Sequence, residues 1–220
     1  MKKIIPLIII MWLFSSLPVT AEEPTAEQSR ITGIEKAMKS TVKLSVIANQ
    51  NALNMNLEAA MGSGFFIAPN KIITASHVVL VPGVTRIDVT TYDGRKCTGK
   101  LGYRDEVIDL AIIETDCTGE SLKLARKVSM GSDVYMLGNP KSIDWIVTGG
   151  IVSSIVKESY HYTIIADISG EHGNSGGPMI DSKGNVIGIA QALNNQDRYL
   201  IFGIHAYDIS RFLTRIGVPI

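Results

Sequence analysis

Gly173-Asn174-Ser175-Gly176-Gly177-Pro178 decides how this chain is read. Three glycines around one serine give a turn in which backbone N–H groups can converge and no side chain blocks an approaching ligand, as an oxyanion hole built from amides requires. Gly173 and Ser175, with Asn174 between them, would supply the donors, and Gly176 and Gly177 leave room for an acyl group and an extended peptide. An ordinary hairpin turn has the same composition, so the segment needs support from the rest of the chain.

The same residues also satisfy Gly-x-Ser-x-Gly, the strand-to-helix elbow of α/β hydrolases, in which an acid and then a histidine follow the serine. Asp197 and His205 do follow Ser175. Pro178, however, cannot donate a backbone hydrogen bond in the next segment, and Lys183-Gly184-Asn185 marks a turn before a long helix could be completed. Only 45 residues follow Ser175, too few for the remaining strands and helices of such a fold.

Upstream, Thr74-Ala75-Ser76-His77 and Asp109-Leu110-Ala111-Ile112-Ile113 offer a better set. A serine hydroxyl is a weak nucleophile at neutral pH; an imidazole must take its proton, and a carboxylate must fix the imidazole tautomer and stabilise the imidazolium. His77 is read as ending a strand and Asp109 as beginning one, so His77, Asp109 and Ser175 form the candidate triad.

Working outward, β-branched runs recur at Val42–Ala48, Gly64–Ala68, Ile72–Ala75, Arg86–Thr91, Lys96–Tyr103, Asp109–Thr115, Asp133–Leu137, Trp145–Val156, Tyr162–Asp167, Asn185–Ala192 and Tyr199–Ala206. Turn signals such as Pro69-Asn70 and Tyr92-Asp93-Gly94 separate them. One amphipathic helix is expected within Ala26–Lys39, and a second over Asp208–Ile216 with Asp208 as its N-cap. The pattern predicts an all-β fold, because an α/β sheet would place a helix between successive strands. A break near Thr118–Ser132 divides it into two packed barrels, the first over about residues 40–118 and the second over about 132–207. No strong sequence repeat is visible.

The chain has 220 residues, 45% of them hydrophobic and 19% charged, which excludes a disordered polymer. Its 21 basic side chains balance 21 acidic ones, so there is no cationic surplus to displace counterions from nucleic acid or to hold an anionic membrane. Met1-Lys2-Lys3, the apolar run Ile4–Phe14 and the small residues Val19 and Ala21 read as an export signal over residues 1–21, too short in its apolar part for a bilayer span. Cleavage after Ala21 would leave residues 22–220, with 19 basic and 21 acidic side chains, in the periplasm or outside the cell and without stable membrane association.

Together, Gly62-Ser63-Gly64-Phe65, Thr74–Val79, Asp109–Ile112, Asp167, Gly173–Pro178 and Val186-Ile187-Gly188-Ile189 give a chain that resembles trypsin-like serine peptidases of the chymotrypsin fold, especially the HtrA kind. The resemblance runs from about Ile31 to the C-terminus. It implies two six-stranded antiparallel β-barrels with a short C-terminal helix, and a cleft holding His77 and Asp109 from the first barrel and Ser175 from the second. It also implies an oxyanion hole at Gly173, Asn174 and Ser175, and a substrate pocket with Ser169 at its base and His205, Ala190 and His172 around it. With Ser169 in place of an aspartate, a preference for Arg or Lys is not implied. HtrA proteins usually continue into PDZ domains, for which these 220 residues leave no length, so the resemblance implies no particular oligomeric state. Asn174 stands where zymogen-activated relatives have an aspartate, so activation by an ion pair to a newly cut N-terminus is not expected and ordering of the loop by substrate takes its place.

The expected function is therefore serine-type endopeptidase on a peptide or protein, with no cofactor and no metal; His161, His172 and His205 show no ligand spacing. The rivals are a noncatalytic binding protein on the same barrels and an esterase using the same serine. Cys97 and Cys117 are symmetric about residue 107, which places them nearly opposite in an antiparallel pair and suits a disulfide in an exported protein; two free thiols in the core are the alternative.

Overall fold

The computed structural model describes residues 23–49, 56–140, 143–194 and 197–219; the expected export segment lies outside them. Short strands close into two antiparallel barrels. The first contains β1 (Thr41–Asn49), β2 (Asn56–Ala68), β3 (Lys71–Ala75), β4 (Val84–Thr91), β5 (Lys96–Asp105) and β6 (Leu110–Thr115), in the closed order β1-β2-β3-β6-β5-β4. The second contains β7 (Asp133–Gly138), β8 (Ile146–Lys157), β9 (Tyr162–Asp167), β10 (Pro178–Ile180), β11 (Val186–Asn194) and β12 (Asp197–His205), closed as β7-β8-β9-β12-β11-β10. The two orders are the same, so the fold repeats a six-strand unit that leaves no legible repeat in the sequence.

Three helices complete the described chain: α1 (Ala26–Ser40), the single turn α2 (Ser76–Val79) and α3 (Ala206–Arg215). The start of α1 is set by a capping box in which the Thr25 hydroxyl accepts the Gln28 N–H and the Gln28 side chain accepts the Thr25 N–H. The cap of α3 differs from the expectation: the chain passes from β12 straight into the helix, so His205 is the N-cap and Asp208 falls in the first turn. There Asp208 is buried, and its Oδ2 accepts the Tyr162 N–H at 2.7 Å.

Strand bounds depart from the sequence reading where pairing overrides local preference. β2 begins at Asn56 rather than Gly64 because its Ala- and Glu-bearing first half pairs with β1 from Asn49↔Asn56 onward. The three-residue β10, unmarked in the sequence and led by a proline, holds its place through Met179↔Gly188 and Met179↔Met136.

Barrel interiors form two apolar clusters, one around Leu44, Phe66 and Ile113 and one around Met136, Ile164 and Met179. A third, containing Phe65, Ile73, Leu110, Ile112, Leu137, Ile189 and Phe212, joins the barrels to each other and to α1 and α3. β3 and β6 are therefore apolar on both faces, one toward their own barrel and one toward the junction, and four consecutive residues of each are buried. These are the strands whose ends carry the candidate histidine and aspartate.

Cys97 and Cys117 form a disulfide with Cα atoms 5.8 Å apart. The β5–β6 register Gly99↔Thr115, continued outward, puts the two cysteines opposite each other. Closing a loop with a sequence separation of 20 restricts the unfolded chain. Replacing both cysteines by serine is expected to lower unfolding free energy by about 3 kcal/mol, read by urea denaturation.

Candidate active site

His77 belongs to α2 rather than to the end of β3, and Asp109 is the residue just before β6. Asp109 adopts φ 57°, a left-handed conformation that a residue with a side chain takes at a cost. Three hydrogen bonds hold it there. Its carbonyl accepts the Ser76 N–H at 2.9 Å, Oδ1 accepts the His77 N–H at 2.8 Å, and Oδ2 faces His77 Nδ1 at 2.8 Å. A carboxylate only accepts, so His77 Nδ1 carries the proton and Nε2 is left as the basic nitrogen.

Ser175 comes from the second barrel, in the turn between β9 and β10. His77, His172, Gly173 and Ser175 line one cavity of about 350 Å³ with Glu58–Met61 of β2. The Ser175 hydroxyl donates to the Gln191 carbonyl at 3.2 Å. Among the described residues no hydrogen bond joins it to His77.

The glycine turn is held by its backbone. Asn174 N–H donates to Glu171 O at 3.2 Å, Gly177 N–H to Asn174 O at 2.9 Å, and Gly176 N–H to Ala190 O at 2.7 Å. Among the described residues the amides of Gly173 and Ser175 donate to no protein acceptor, so both are available to an incoming oxyanion. Gly173 and Gly176 have φ of 104° and 84°; a Cβ on Gly176 would lie 2.0 Å from Thr74 Oγ1 and 2.2 Å from Ser63 O. Glycine is required there by both conformation and space.

Ala190 is buried behind the serine turn and exchanges backbone hydrogen bonds with Gly176 and Gly177. His172 is exposed on the cavity rim, and Ser169 is exposed but is not part of that cavity. His205 lines a different groove, with Leu122, Lys123, Ala206 and Tyr207. Its Nδ1 accepts the Tyr207 N–H at 3.0 Å. Sequence reading assigned no role to Ser63, Thr74 or Asn139, which hold the turn from beneath. A lone serine within Gly62-Ser63-Gly64-Phe65-Phe66 was the available signal, since a buried hydroxyl needs a partner. Among the described residues no group of three or more His, Cys, Asp or Glu side chains is placed to hold a metal ion.

Two antiparallel barrels with an Asp–His pair on one and a serine turn on the other define the chymotrypsin-like class, not the α/β-hydrolase elbow. The trypsin-like peptidase domain matches residues 62–189, more than half of the chain. The chain belongs to the trypsin-like peptidase family. A "Probable periplasmic serine endoprotease DegP-like" of Hahella chejuensis is 36% identical over 136 residues, covering 58% of this chain and 29% of that protein. Serine protease HTRA4 of Mus musculus is 32% identical over 168 residues, 71% of this chain and 35% of its own length. This chain thus spans about a third of the length of the curated relatives it matches. The crystal structure of the serine endoprotease from Yersinia pestis superimposes with a TM-score of 0.73 at 24% identity, covering 90% of this chain and 68% of that one, a likeness of fold.

Burial lowers the pKa of His205 below the ordinary 6.5, against a smaller upward pull from Asp208. The unfolded chain then takes up the proton first, so stability should fall as pH drops through about 6.5 and level off below the folded pKa. His205→Ala is expected to remove that slope and about 1 kcal/mol of capping stability at pH 8 while leaving any peptide preference unchanged. Thermal unfolding across pH and a peptide-library profile check both.

Proposed function

We propose that this chain is an exported serine endopeptidase. The observation that carries the proposal is the double hydrogen bond from His77 to Asp109, beside a serine turn whose Gly173 and Ser175 amides have no protein acceptor among the described residues. Asp109 fixes the tautomer in which Nε2 of His77 can act as general base. On substrate binding, the Ser175 hydroxyl turns from Gln191 toward Nε2 and attacks the peptide carbonyl carbon as His77 takes its proton. The developing oxyanion accepts the two free N–H groups. His77, now an imidazolium stabilised by Asp109, protonates the leaving amine, and the C–N bond breaks to give an acyl-Ser175 enzyme. Water, deprotonated by His77, then attacks the ester and releases the acid and Ser175. Hydrogen bonds between nucleophile and base commonly tighten only in the complex, so the Gln191 contact agrees with a resting form.

Export is supported by the character of residues 1–21 and by relatives named periplasmic. No described helix is long and apolar enough to cross a membrane. The proposed substrate is a peptide or unfolded protein strand, and the proposed mature chain begins at Glu22.

A fluorophosphonate should label the wild-type protein at one site and fail to label Ser175→Ala. Absence of labelling in the wild type would sink the enzyme reading. Unfolded casein should be cleaved; ester turnover without peptide cleavage would make the protein an esterase. Asp109→Asn should lower kcat by about 10⁴-fold in steady-state peptide hydrolysis, because Nδ1 would no longer be held as the protonated nitrogen.

A further inference from the structure

The geometry points to Ser63 as a positioning residue for the oxyanion hole, a role that rests on the serine peptidase reading. Ser63 lies on β2 with no solvent exposure. Its Oγ donates to the Gly173 carbonyl at 2.8 Å, and its N–H donates to the Ser175 carbonyl at 2.9 Å. One first-barrel residue thereby grips the second-barrel turn at two points.

The two gripped carbonyls belong to the peptide planes on either side of the plane that carries the Ser175 N–H. Peptide planes are rigid, so that donor turns only through φ and ψ of Asn174 and of Ser175, and holding both neighbouring planes restrains those rotations. The Gly173 N–H lies one plane earlier, across a residue at φ 104° whose conformational freedom would otherwise let it swing. Fixing the Gly173 carbonyl anchors the near end of that hinge. Ser63 thus leaves the two free donors alone and immobilises the atoms next to them.

Direction is imposed on the hydroxyl as well. The Asn139 N–H donates to Ser63 Oγ at 2.9 Å and occupies its acceptor side. The single hydroxyl proton is left for Gly173. Asn139 is itself buried and oriented, with Nδ2 donating to Val42 O at 3.3 Å and Oδ1 accepting the Trp145 N–H at 3.1 Å. The Ser63 carbonyl accepts the Thr74 hydroxyl at 2.7 Å, which ties the site to β3 and so to the strand leading to His77. Alanine at position 63 would keep the backbone bond to Ser175 O and lose the one to Gly173 O.

The test is peptide hydrolysis by Ser63→Ala in the full chain, with active sites counted by fluorophosphonate titration and folding followed by thermal melting. The expected result is kcat per titrated site lowered about 10–100-fold, with KM changed less than about twofold, since misplacing a donor weakens the transition state more than the bound substrate. Affinity for a peptide aldehyde, whose adduct carries the oxyanion, should fall with kcat, while affinity for the matching product peptide stays. A merely structural role would lower the melting temperature and the count of active sites but leave kcat per site within twofold of wild type, and that result overturns the inference. If Ser63→Ala does not fold, Ser63→Cys, which retains a weaker donor, is read by the same criteria. A wild-type protein that fails to react at Ser175 would remove the peptidase reading and this inference together; a reactive wild type with an unaltered Ser63→Ala removes this inference alone.

Discussion

The Ser63 N–H to Ser175 carbonyl hydrogen bond, 2.9 Å long and donated by a residue with no solvent exposure, joins the two barrels at the site. The proposed chemistry needs a serine from one barrel to meet a histidine from the other, and apolar contact alone does not set such a position. The junction cluster around Phe65, Leu110, Leu137 and Ile189 supplies the non-directional force that presses the barrels together. Hydrogen bonds from Ser63 and Asn139 supply the direction, and in a buried setting each is costly to leave unmade. Packing holds the barrels in contact, and these polar bonds register one against the other.

On the first barrel, the same division of labour holds His77 and Asp109. β3 and β6 are buried on both faces and pair from Lys71↔Glu114 to Ala75↔Leu110, so the residues that emerge at one end of the pair stay side by side. Ser76, His77 and Asp109 are those residues. The left-handed turn of Asp109 puts its carbonyl and both carboxylate oxygens on consecutive groups of α2, and the three hydrogen bonds offset the backbone cost. The geometry of the Asp109–His77 pair is a consequence of where two rigid strands stop.

Much of this was legible along the chain. Runs of β-branched residues between turn signals marked eleven of the twelve strands, and the glycine content of 173–177 marked the serine turn, because glycine is placed where backbone must approach backbone. What escaped was set by contacts distant in sequence. β10 is only three residues long and exists through its partners β7 and β11. The first half of β2 has weak strand preference and is extended by pairing with β1. Asp208 looked like a cap, but His205 took that position because β12 runs into α3 without an intervening loop. The role of Ser63 is not legible in the sequence, since a hydroxyl gives no hint of its acceptor 110 residues away.

The sequence by itself determined the all-β class, the order His77, Asp109, Ser175 and the symmetry that opposes Cys97 to Cys117, because periodicity, residue chemistry and spacing are local properties. Tertiary structure alone decided that Asp109 accepts two hydrogen bonds from His77, that the Gly173 and Ser175 amides find no protein acceptor among the described residues, that His205 caps a helix away from the His77 cavity, and that Ser63 and Asn139 brace the turn. The physical reason is that a hydrogen bond needs its partners within about 3 Å and well aligned, and that precision arises only once strands are paired and barrels packed.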